Sequence, residues 1–537
     1  MRRVFVATKD FTGYLEDGQQ LSLSALAEPR LGPGSEDELV SAAAGGGLPI
    51  GEARLCVTAQ ELVVVSDIPR SYPLLWTDRG EEILVADSPE LLRRAGVELH
   101  LDNAAATEFY SCGFVWGQRT LLQGVYQVEG GFTLRIDLET GRSVRALPTF
   151  QVGAGQRYAT AEEADAAFEA ALDKSMHAMV ERLGEGRLVI PLSGGLDSRL
   201  LLAWLKNHHV DNVLCFTYGI PGSKETEVSR QLAQRAGFAW KLVELHREAV
   251  RTAWAGFEAA HFIEYAWGAT SLPHVQDWYA INALVKAGVI GGKNDVVLPG
   301  HTVIGNLHHE DQLLAGGVDL DRLAAMIYAH HCELDSQLPG QVAQSVRSEL
   351  AWILQRLKES GRYSGQEDRL LWADAIEMVN IANRQAKYIN NSMRAYEAAG
   401  LGWDLPMLDA PMWDFAGHIS QELAFERSWY RSFVERYYAA ATGQTVPEHR
   451  EQPVSAATTA KIARVMSALR VKGALTRAYA TAHVMRHPLG LDMYVGDISR
   501  SALAAQLLGG RHLLGIYARQ MLAGRWNPLA DLGMKNG

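Results

Sequence analysis

The sequence has few cysteines, no apolar run of membrane length and no excess of basic residues. Only four cysteines occur among 537 residues, namely Cys56, Cys112, Cys215 and Cys332. They show neither CxxC nor zinc-type spacing, which argues against a disulfide framework and for core thiols in a reducing compartment. No apolar run approaches the roughly eighteen residues of a membrane span. The charged pair Lys9-Asp10 interrupts the N-terminal apolar run before a signal-type segment forms. We therefore expect a cytoplasmic protein without a membrane partner.

The charge balance is acidic. Lysine and arginine number 51 against 62 aspartate and glutamate residues, for a net charge of −11. This balance does not favour a polyanionic partner, so we expect no nucleic acid. The hydrophobic fraction of 47% is ordinary for a globular protein, and the length allows two or three domains.

The sequence pattern changes near residue 150. Before it, short apolar runs separated by Gly, Pro and Asp predict strands and a mostly β or layered α/β domain. These runs lie at residues 54–58, 61–66, 82–86 and 132–137. After it, helical patterns alternate with apolar strands, which predicts right-handed crossovers and a parallel sheet. The helices are predicted at 160–182, 198–208 and 223–236, and the strands at 187–192, 213–218 and 240–245. Beyond residue 320 the pattern is almost wholly helical, and we assign residues 1–150 and 151–537 to two domains.

A loop at residues 193–198, reading Ser-Gly-Gly-Leu-Asp-Ser, follows the first strand of the second domain and opens a helix. Backbone amides at such a helix N-terminus favour a polyphosphate. The loop lacks the GxxxxGK[ST] spacing and its lysine, so it is not the loop that cradles a transferring γ-phosphate. An ordinary Gly-rich strand-to-helix turn is the alternative interpretation.

Each residue type in this loop has a chemical reason to be there. Gly194 and Gly195 let the backbone approach phosphate oxygens, and the hydroxyls of Ser193 and Ser198 can donate to them. Asp197 can hold Mg²⁺ directly or through water. Thr217, at the carboxyl end of the next strand, is expected on the sheet edge where ligands bind, beside the adenosine.

The SGGxDS pattern resembles the signature of pyrophosphate-loop ATPases, which cleave ATP between the α and β phosphates and leave an adenylate on the substrate. Two further segments narrow this resemblance. Residues 110–137 look like the end of the glutaminase domain of asparagine synthetases. Residues 384–397 and 405–409 are similar to the helix and loop that close the amide-forming site in asparagine synthetases and their β-lactam-forming relatives.

This resemblance implies a fold, a reaction and its reactants. The implied fold is α/β, with an N-terminal Ntn-hydrolase-like layered domain and a C-terminal parallel-sheet domain like the adenine nucleotide α-hydrolases, followed by a helical part. The implied enzyme is an AMP-forming carbon–nitrogen ligase that uses ATP and Mg²⁺. Its substrates would be a small-molecule or peptide carboxylate and an amine or ammonia.

Residues 297–306 fall where the family carries a second Gly-rich loop. Gly300 and His301 fit that loop, and Gly300 is implied to contact the pyrophosphate. Val303 and Ile304 stand where a second metal-binding acid is expected. That ligand is either lost or supplied by a neighbour, the candidates being Asp295, Glu310 and Asp311.

Four residues are candidates for the amide-forming step, two of them as alternatives for a single lysine role. The β-lactam-forming relatives use a Tyr-Glu pair to deprotonate the amine, and the matching positions here are His301 and Glu397. An imidazole with a carboxylate partner is a general base suited to neutral pH, which makes this pair a hypothesis; purely structural roles for both are the alternative. The family also places a late lysine at the tetrahedral intermediate, for which Lys461 is the first candidate and Lys472 the second, unless these lysines are solvated helix residues.

A working glutaminase of this type needs cysteine as residue 2, and this sequence has Arg2. We therefore expect a degenerate glutaminase domain, with free ammonia, ammonia from another protein, or a substrate amine as the nucleophile. Relatives with the same loss form β-lactams or lasso-peptide rings, which favours specialised metabolism by analogy. A non-catalytic nucleotide-binding scaffold is the alternative, and the oligomeric state, a homodimer included, stays open.

Overall fold

The computed structural model describes residues 1–44, 47–147, 157–304, 313, 317–335, 339–360, 363, 368–444, 490–495 and 498–523. Across these residues, no helix combines the length and apolar character needed to cross a membrane. The predicted boundary near residue 150 falls outside the described residues, so the division into two domains stays a prediction. We refer to residues 1–147 as the N-terminal region and to residues 157–523 as the C-terminal region.

The N-terminal region is built on two sheets. Its strands are β1 (Arg3–Ala7), β2 (Thr12–Leu15), β3 (Gln19–Ser24), β4 (Arg30–Pro33), β5 (Glu52–Val57), β6 (Glu61–Ser66), β7 (Leu75–Asp78), β8 (Glu82–Ala86), β9 (Tyr126–Gln127), β10 (Thr133–Asp137) and β11 (Ser143–Ala146). The first sheet has the order β2-β1-β8-β7-β9 and the second β11-β10-β6-β5-β3-β4. The pair β1–β8 is parallel, whereas the other pairs of these two sheets are antiparallel.

These two sheets form the centre of a layered structure. Alternating side chains from both, including Val6, Leu55 and Val64, form one buried cluster between them. The helix Glu36–Ala44 packs on β5 and β6, and the helix Pro89–Arg94 packs on β8. The order helix, sheet, sheet, helix confirms the Ntn-hydrolase-like layered α/β fold.

The C-terminal region contains a five-stranded sheet that is parallel throughout. Its strands are β12 (Arg187–Pro191), β13 (Val213–Gly219), β14 (Ala239–Glu244), β15 (Asp295–Val297) and β16 (Gly402–Trp403), in the order β14-β13-β12-β15-β16. The predicted parallel sheet is confirmed. Strand β16 lies in the part of the sequence that was expected to be almost wholly helical. It was not predicted because a strand of two residues is too short to show an alternating pattern.

Helices surround this sheet and continue to the end of the described chain. The α-helices are Asn103–Cys112, Ala161–Leu183, Leu196–Asn207, Lys224–Ala236, Arg247–Trp254, Phe257–Trp267, Trp278–Lys286, Leu320–His331, Pro339–Glu359, Asp368–Asn380, Met393–Ala398, Ala410–His418, Gln421–Ala424, Ser428–Thr442, Arg500–Leu508 and Leu513–Ala523. A π-helix spans Ile381–Ile389, and 3-10 turns span Asn390–Ser392, Pro406–Leu408, Phe425–Arg427 and Leu491–Tyr494. Local sequence sets the boundaries, as where the Thr160 hydroxyl accepts a hydrogen bond from the Glu163 amide.

A loop of the N-terminal region lies against the π-helix and the residues that follow it. The Nδ2 of Asn390 donates to the Pro69 carbonyl at 3.0 Å, and Nη2 of Arg394 donates to the Ser71 carbonyl at 2.7 Å. A π-helix widens the backbone turn and often marks a functional segment. The contact between the two regions is therefore made where a functional site is expected.

A buried lysine and a cysteine pair also join the two regions. The ammonium of Lys387 donates to the carbonyls of Val115 and Gly117, at 2.8 Å in both cases. The Sγ atoms of Cys112 and Cys332 are 2.9 Å apart. All four cysteines are buried, as expected, but their spacing in the sequence did not reveal this contact.

Candidate functional site

The predicted pyrophosphate loop lies at the carboxyl edge of the parallel sheet, between β12 and the helix Leu196–Asn207. The Ser193 hydroxyl accepts a hydrogen bond from the Gly195 amide at 3.1 Å and lies 3.4 Å from the Ser198 hydroxyl. The loop thus brings together the two hydroxyls that were predicted to contact phosphate oxygens.

The helix after this loop begins without a side-chain cap. Its N-cap is Gly195, at φ −72°, and no side chain accepts a hydrogen bond from the first-turn amides at that position. These amides and the helix dipole favour an anion. A Cβ on Gly194 would lie 3.4 Å from Val228 Cγ1, and one on Gly195 would lie 3.0 Å from Ser193 Oγ. A side chain at Gly195 would therefore crowd the Ser193 hydroxyl, whereas one at Gly194 would make an ordinary contact, and neither glycine has a left-handed backbone.

Asp197 is held by two side chains that sequence reasoning missed. Its Oδ1 accepts hydrogen bonds from Arg427 Nη2 at 2.5 Å and from Tyr430 Oη at 2.8 Å. Within the described residues its Oδ2 makes no hydrogen bond, and the side chain is 26% exposed. Asp197 therefore keeps one carboxylate oxygen for a cation. No motif marks Arg427 or Tyr430 in the sequence.

The second glycine-rich segment packs directly on the first. A Cβ on Gly300 would lie 3.0 Å from the Ser198 nitrogen and 3.2 Å from Asp197 Cβ. Only glycine allows this approach without displacement of the loop. Val303 and Ile304, which stand where an acid was expected, are each 7% exposed.

The structure removes Asp295 from the candidates for the second metal ligand. Its two carboxylate oxygens each accept a 2.7 Å hydrogen bond from the Arg187 guanidinium. Arg187 and Asp295 open the neighbouring parallel strands β12 and β15 and are paired in register. They therefore lie at the amino edge of the sheet, opposite the loop. Glu310 and Asp311 lie outside the described residues.

A cavity of about 230 Å³, here called the loop cavity, contains most of the predicted nucleotide contacts. Its lining includes Ser193, Gly195, Asp197, Ser198, Thr217, Gly300 and His301, together with the acids Glu225 and Asp277. The Thr217 hydroxyl donates to the Leu192 carbonyl at 2.7 Å and accepts from Trp240 Nε1 at 3.0 Å. Thr217 thus ties the end of β13 to the start of the loop.

A second cavity of about 320 Å³, here called the π-helix cavity, adjoins the first. Asp197, Gly300 and His301 line both cavities. The π-helix cavity adds Arg427, Arg384, Glu377, Asn390 and the N-terminal residues Ile68 and Pro69. Burial raises the pKa of Glu377 to about 7 and lowers the pKa of Arg384. The two cavities meet at Asp197 and His301.

His301 is neutral at this junction. Burial and the neighbouring His274 lower its pKa to about 4, although Asp277, a hydrogen bond with Asn390 and Asp197 oppose the shift. Its buried Nδ1 has no hydrogen-bond partner in the described part of the chain. A neutral imidazole with an unbonded nitrogen can accept a proton.

The structure does not bring Glu397 to His301. Glu397 accepts hydrogen bonds from Tyr265 Oη at 2.7 Å and Trp403 Nε1 at 2.9 Å, and it pairs with Arg394 Nη2 at 3.0 Å. No hydrogen bond or ion pair joins Glu397 to His301 among the residues that the structure describes. The carboxylates that act on His301 are instead Asp277 and Asp197.

Lys461 and Lys472 lie outside the described residues. Two arginines reach the loop instead: Arg427, which lines the π-helix cavity, donates to Asp197, and Arg199 Nη2 donates to the Gly194 carbonyl at 2.8 Å. Among the lining residues of the two described cavities there is no lysine. The described part of the chain also contains no cluster of three or more His, Cys, Asp or Glu side chains suited to a metal. A metal at the loop would therefore depend on Asp197 together with phosphate oxygens and water.

The position expected to carry the glutaminase nucleophile is occupied by a paired arginine. Arg2 Nε donates to Asp78 Oδ1 at 2.8 Å, and Arg2 Nη1 donates to the Glu139 carbonyl at 2.7 Å. The Arg2 amide donates to the Leu138 carbonyl at 2.7 Å. This side chain fastens the start of β1 to its neighbours.

Comparison with known proteins places most of the C-terminal region in one family. The model of the family described as asparagine synthase matches residues 164–469, more than half of the chain. No curated protein matches. Among solved structures, the chain is similar to the NH3-dependent NAD synthetase from Campylobacter jejuni subsp. jejuni NCTC 11168 in complex with the nitrate ion, with 13% identity and a TM-score of 0.20, over 39% of this chain and 90% of that chain.

Proposed function

Since this chain belongs to the asparagine synthase family, we propose that it activates a carboxylate as an acyl-adenylate and transfers the acyl group to an amine or ammonia. Family membership assigns ATP-dependent ligase chemistry in general. The observation that carries the finer proposal is the junction of two cavities at Asp197 and His301. One cavity contains the pyrophosphate loop, and the other has room for an acyl substrate.

The loop cavity would hold the nucleotide. The hydroxyls of Ser193 and Ser198 and the uncapped helix amides would bind the β and γ phosphates. The Oδ2 of Asp197, which is unbonded within the described residues, fits Mg²⁺, and the ion would neutralise phosphate charge when bound. In the first step a carboxylate oxygen attacks the α-phosphorus, the bond to the β-phosphate breaks, and pyrophosphate leaves. Arg427 would stabilise the added negative charge.

The second step would take place at His301. The amine nitrogen attacks the acyl carbon, the bond to AMP breaks, and the nitrogen loses a proton. His301 Nδ1 is buried and unbonded within the described residues, so we assign it the general-base role. Glu397 would act only through position, by holding Tyr265, Trp403 and Arg394. A role for Lys461 remains a prediction on the sequence alone.

The amine source in this proposal is not glutamine hydrolysed by the chain itself. A cysteine nucleophile of this type uses its own free amine as base, whereas residue 2 here is an arginine whose side chain is bonded to Asp78 and to the Glu139 carbonyl. The N-terminal region would still serve the reaction, because Ile68 and Pro69 line the π-helix cavity. The nucleophile would then be ammonia or a substrate amine that enters the π-helix cavity from solution.

Exchange of labelled pyrophosphate into ATP tests the adenylation step. We expect exchange that depends on a carboxylate, found by screening amino acids, keto acids and peptide acids. Asp197→Asn should lower it by on the order of 100-fold, while the exposed control Asp211→Asn should match the wild type. ATP binding without carboxylate-dependent exchange would refute the proposal and favour a non-catalytic nucleotide-binding role.

A further inference from the structure

Arg70 is held at an energetic cost in the loop that contacts the π-helix. Its φ is +56°, a left-handed conformation that is uncommon for residues other than glycine and asparagine. Its side chain is buried, with 7% of the residue exposed. Nε donates to the Val128 carbonyl at 3.0 Å, whereas the buried Nη2 has no partner among the described residues. An unpaired buried guanidinium donor is unfavourable unless a ligand satisfies it.

A second arginine increases the positive charge beside Arg70. Arg394 is 9% exposed. The burial of Arg70 and, after it, the charge of Arg394 lower the pKa of Arg70 to about 10. Arg394 is bonded to the Ser71 carbonyl and to Glu397. Lys387 is also nearby, but its ammonium donates to Val115, Gly117 and Asn383 and has no donor to spare. Of these three side chains, Arg70 therefore carries the donor without a partner.

Both arginines line a cavity of about 330 Å³ between the two regions, here called the interface cavity. Ala386 and Asn390 line both this cavity and the π-helix cavity. The interface cavity therefore adjoins the space proposed for the acyl group.

The interface cavity also carries a carboxylate with an unbonded oxygen. Asp87 Oδ2 accepts hydrogen bonds from the Lys9 amide at 2.8 Å and from Tyr72 Oη at 3.4 Å. Its Oδ1 makes no hydrogen bond within the described residues, and burial raises the pKa of this carboxyl group. A cavity that offers a guanidinium donor and a carboxylate acceptor complements a ligand with one negative and one positive end.

We propose that the interface cavity binds the amine substrate and that this substrate is a free amino acid, its carboxylate on Arg70 and its ammonium group on Asp87. A free amino acid matches both charged groups of the lining, whereas a lone phosphate matches Arg70 alone. The role as second substrate rests on the proposed function, whereas the binding site stands on Arg70 and Asp87. The ammonium releases one proton to solvent, its nitrogen attacks the acyl carbon, the second proton passes to His301, and AMP leaves.

Calorimetric titration of the full-length chain tests the site directly. The probes are free L-amino acids, the matching amino-acid amides, N-acetyl amino acids and inorganic phosphate. We expect free amino acids to bind and each capped form to bind at least about tenfold more weakly, because each cap removes one charged contact. Inorganic phosphate binding more tightly than every amino acid, or no amino acid binding, would overturn the proposal.

Substitution of Arg70 separates this site from the proposed reaction. Arg70→Asn removes the guanidinium while asparagine tolerates the left-handed backbone; the exposed Arg142→Asn is the charge-matched control. We expect Arg70→Asn to keep wild-type pyrophosphate exchange and to raise KM for the amino acid about tenfold or more, with partial rescue in Arg70→Lys. An unchanged KM beside normal exchange would refute the amino-acid site alone. Absent exchange in the wild type would instead refute the proposed function.

Discussion

Nη2 of Arg427 donates a 2.5 Å hydrogen bond to Oδ1 of Asp197, although the two residues are 230 positions apart in the chain. Arg427 and the preceding Glu426 both have left-handed backbones, at φ +55° and +50°. Each such residue costs about 1–2 kcal/mol, so packing elsewhere must hold this turn in place. The turn aims the guanidinium at the loop proposed to bind pyrophosphate, which makes Arg427 the first residue to test.

Replacement of Arg427 should impair adenylation. Arg427→Met removes the charge and keeps the length of the side chain, and we expect carboxylate-dependent pyrophosphate exchange to fall on the order of 100-fold. Arg427→Lys should retain part of the activity because it keeps the charge but not the forked donor geometry. Arg431→Met, an exposed site on the helix that follows Arg427, is the control. Full activity in Arg427→Met would show that Arg427 serves only to hold Asp197.

A methyl group at residue 300 should disturb the nucleotide loop. In Gly300→Ala the new Cβ would meet the Ser198 nitrogen at 3.0 Å, so the loop must shift away from its present position. We expect a higher KM for ATP with the melting temperature nearly unchanged. In Gly291→Ala the added Cβ would meet nothing within 4 Å, so that variant should match the wild type. Equal KM values for ATP would count against the close packing of the two loops.

The buried imidazole of His301 should make the protein less stable in acid. Its folded pKa is about 4, below the roughly 6.5 of an unfolded histidine. Between these values the unfolded chain binds a proton that the folded chain does not, so the free energy of unfolding falls as the pH drops from about 6.5 to about 4. His301→Asn should lose less stability across this window, as measured by urea unfolding. The exposed His100→Asn should keep the wild-type slope, and the same slope in His301→Asn would contradict the prediction.

Loss of the Glu397 charge should lower the stability of the fold and leave proton transfer by His301 unchanged. Glu397→Gln leaves Arg394 without its ionic partner in a site where the Glu397 side chain is 10% exposed. We expect a fall in the free energy of unfolding of about 1–3 kcal/mol. Glu227 forms an exposed ion pair with Arg230 on the same helix. Glu227→Gln should therefore change the free energy of unfolding by less than about 0.5 kcal/mol.

The pH dependence of amide formation distinguishes this structural role from the dyad hypothesis. If Glu397 acts only through position, Glu397→Gln should leave the apparent pKa of the base in the rate profile unchanged. A clear shift of that pKa in Glu397→Gln, absent from Tyr265→Phe, would instead support a direct partnership with His301.

Local sequence patterns predicted secondary structure that the protein adopts. The strand at 187–191 and the helix that follows appear in the structure, because alternation, apolar runs and Gly-Ser-Asp loops are properties of neighbouring residues. The spacing of the C-terminal elements likewise predicted the parallel sheet, because short connections leave few topologies. Gly300 was identified through the family resemblance, and its close approach to Ser198 supplies the physical reason for it.

The sequence by itself therefore determined the layered and parallel-sheet folds and the chemical type of the loop. The tertiary structure decided which side chains from distant parts of the chain contact the loop. Arg427 and Tyr430 donate hydrogen bonds to Asp197. Glu397 instead accepts hydrogen bonds from Tyr265 and Trp403. The protonation state of His301 and the unpaired donor of Arg70 depend on burial between segments far apart in the chain. Desolvation and contact across such distances arise only when the chain is folded, and no spacing of residues encodes them.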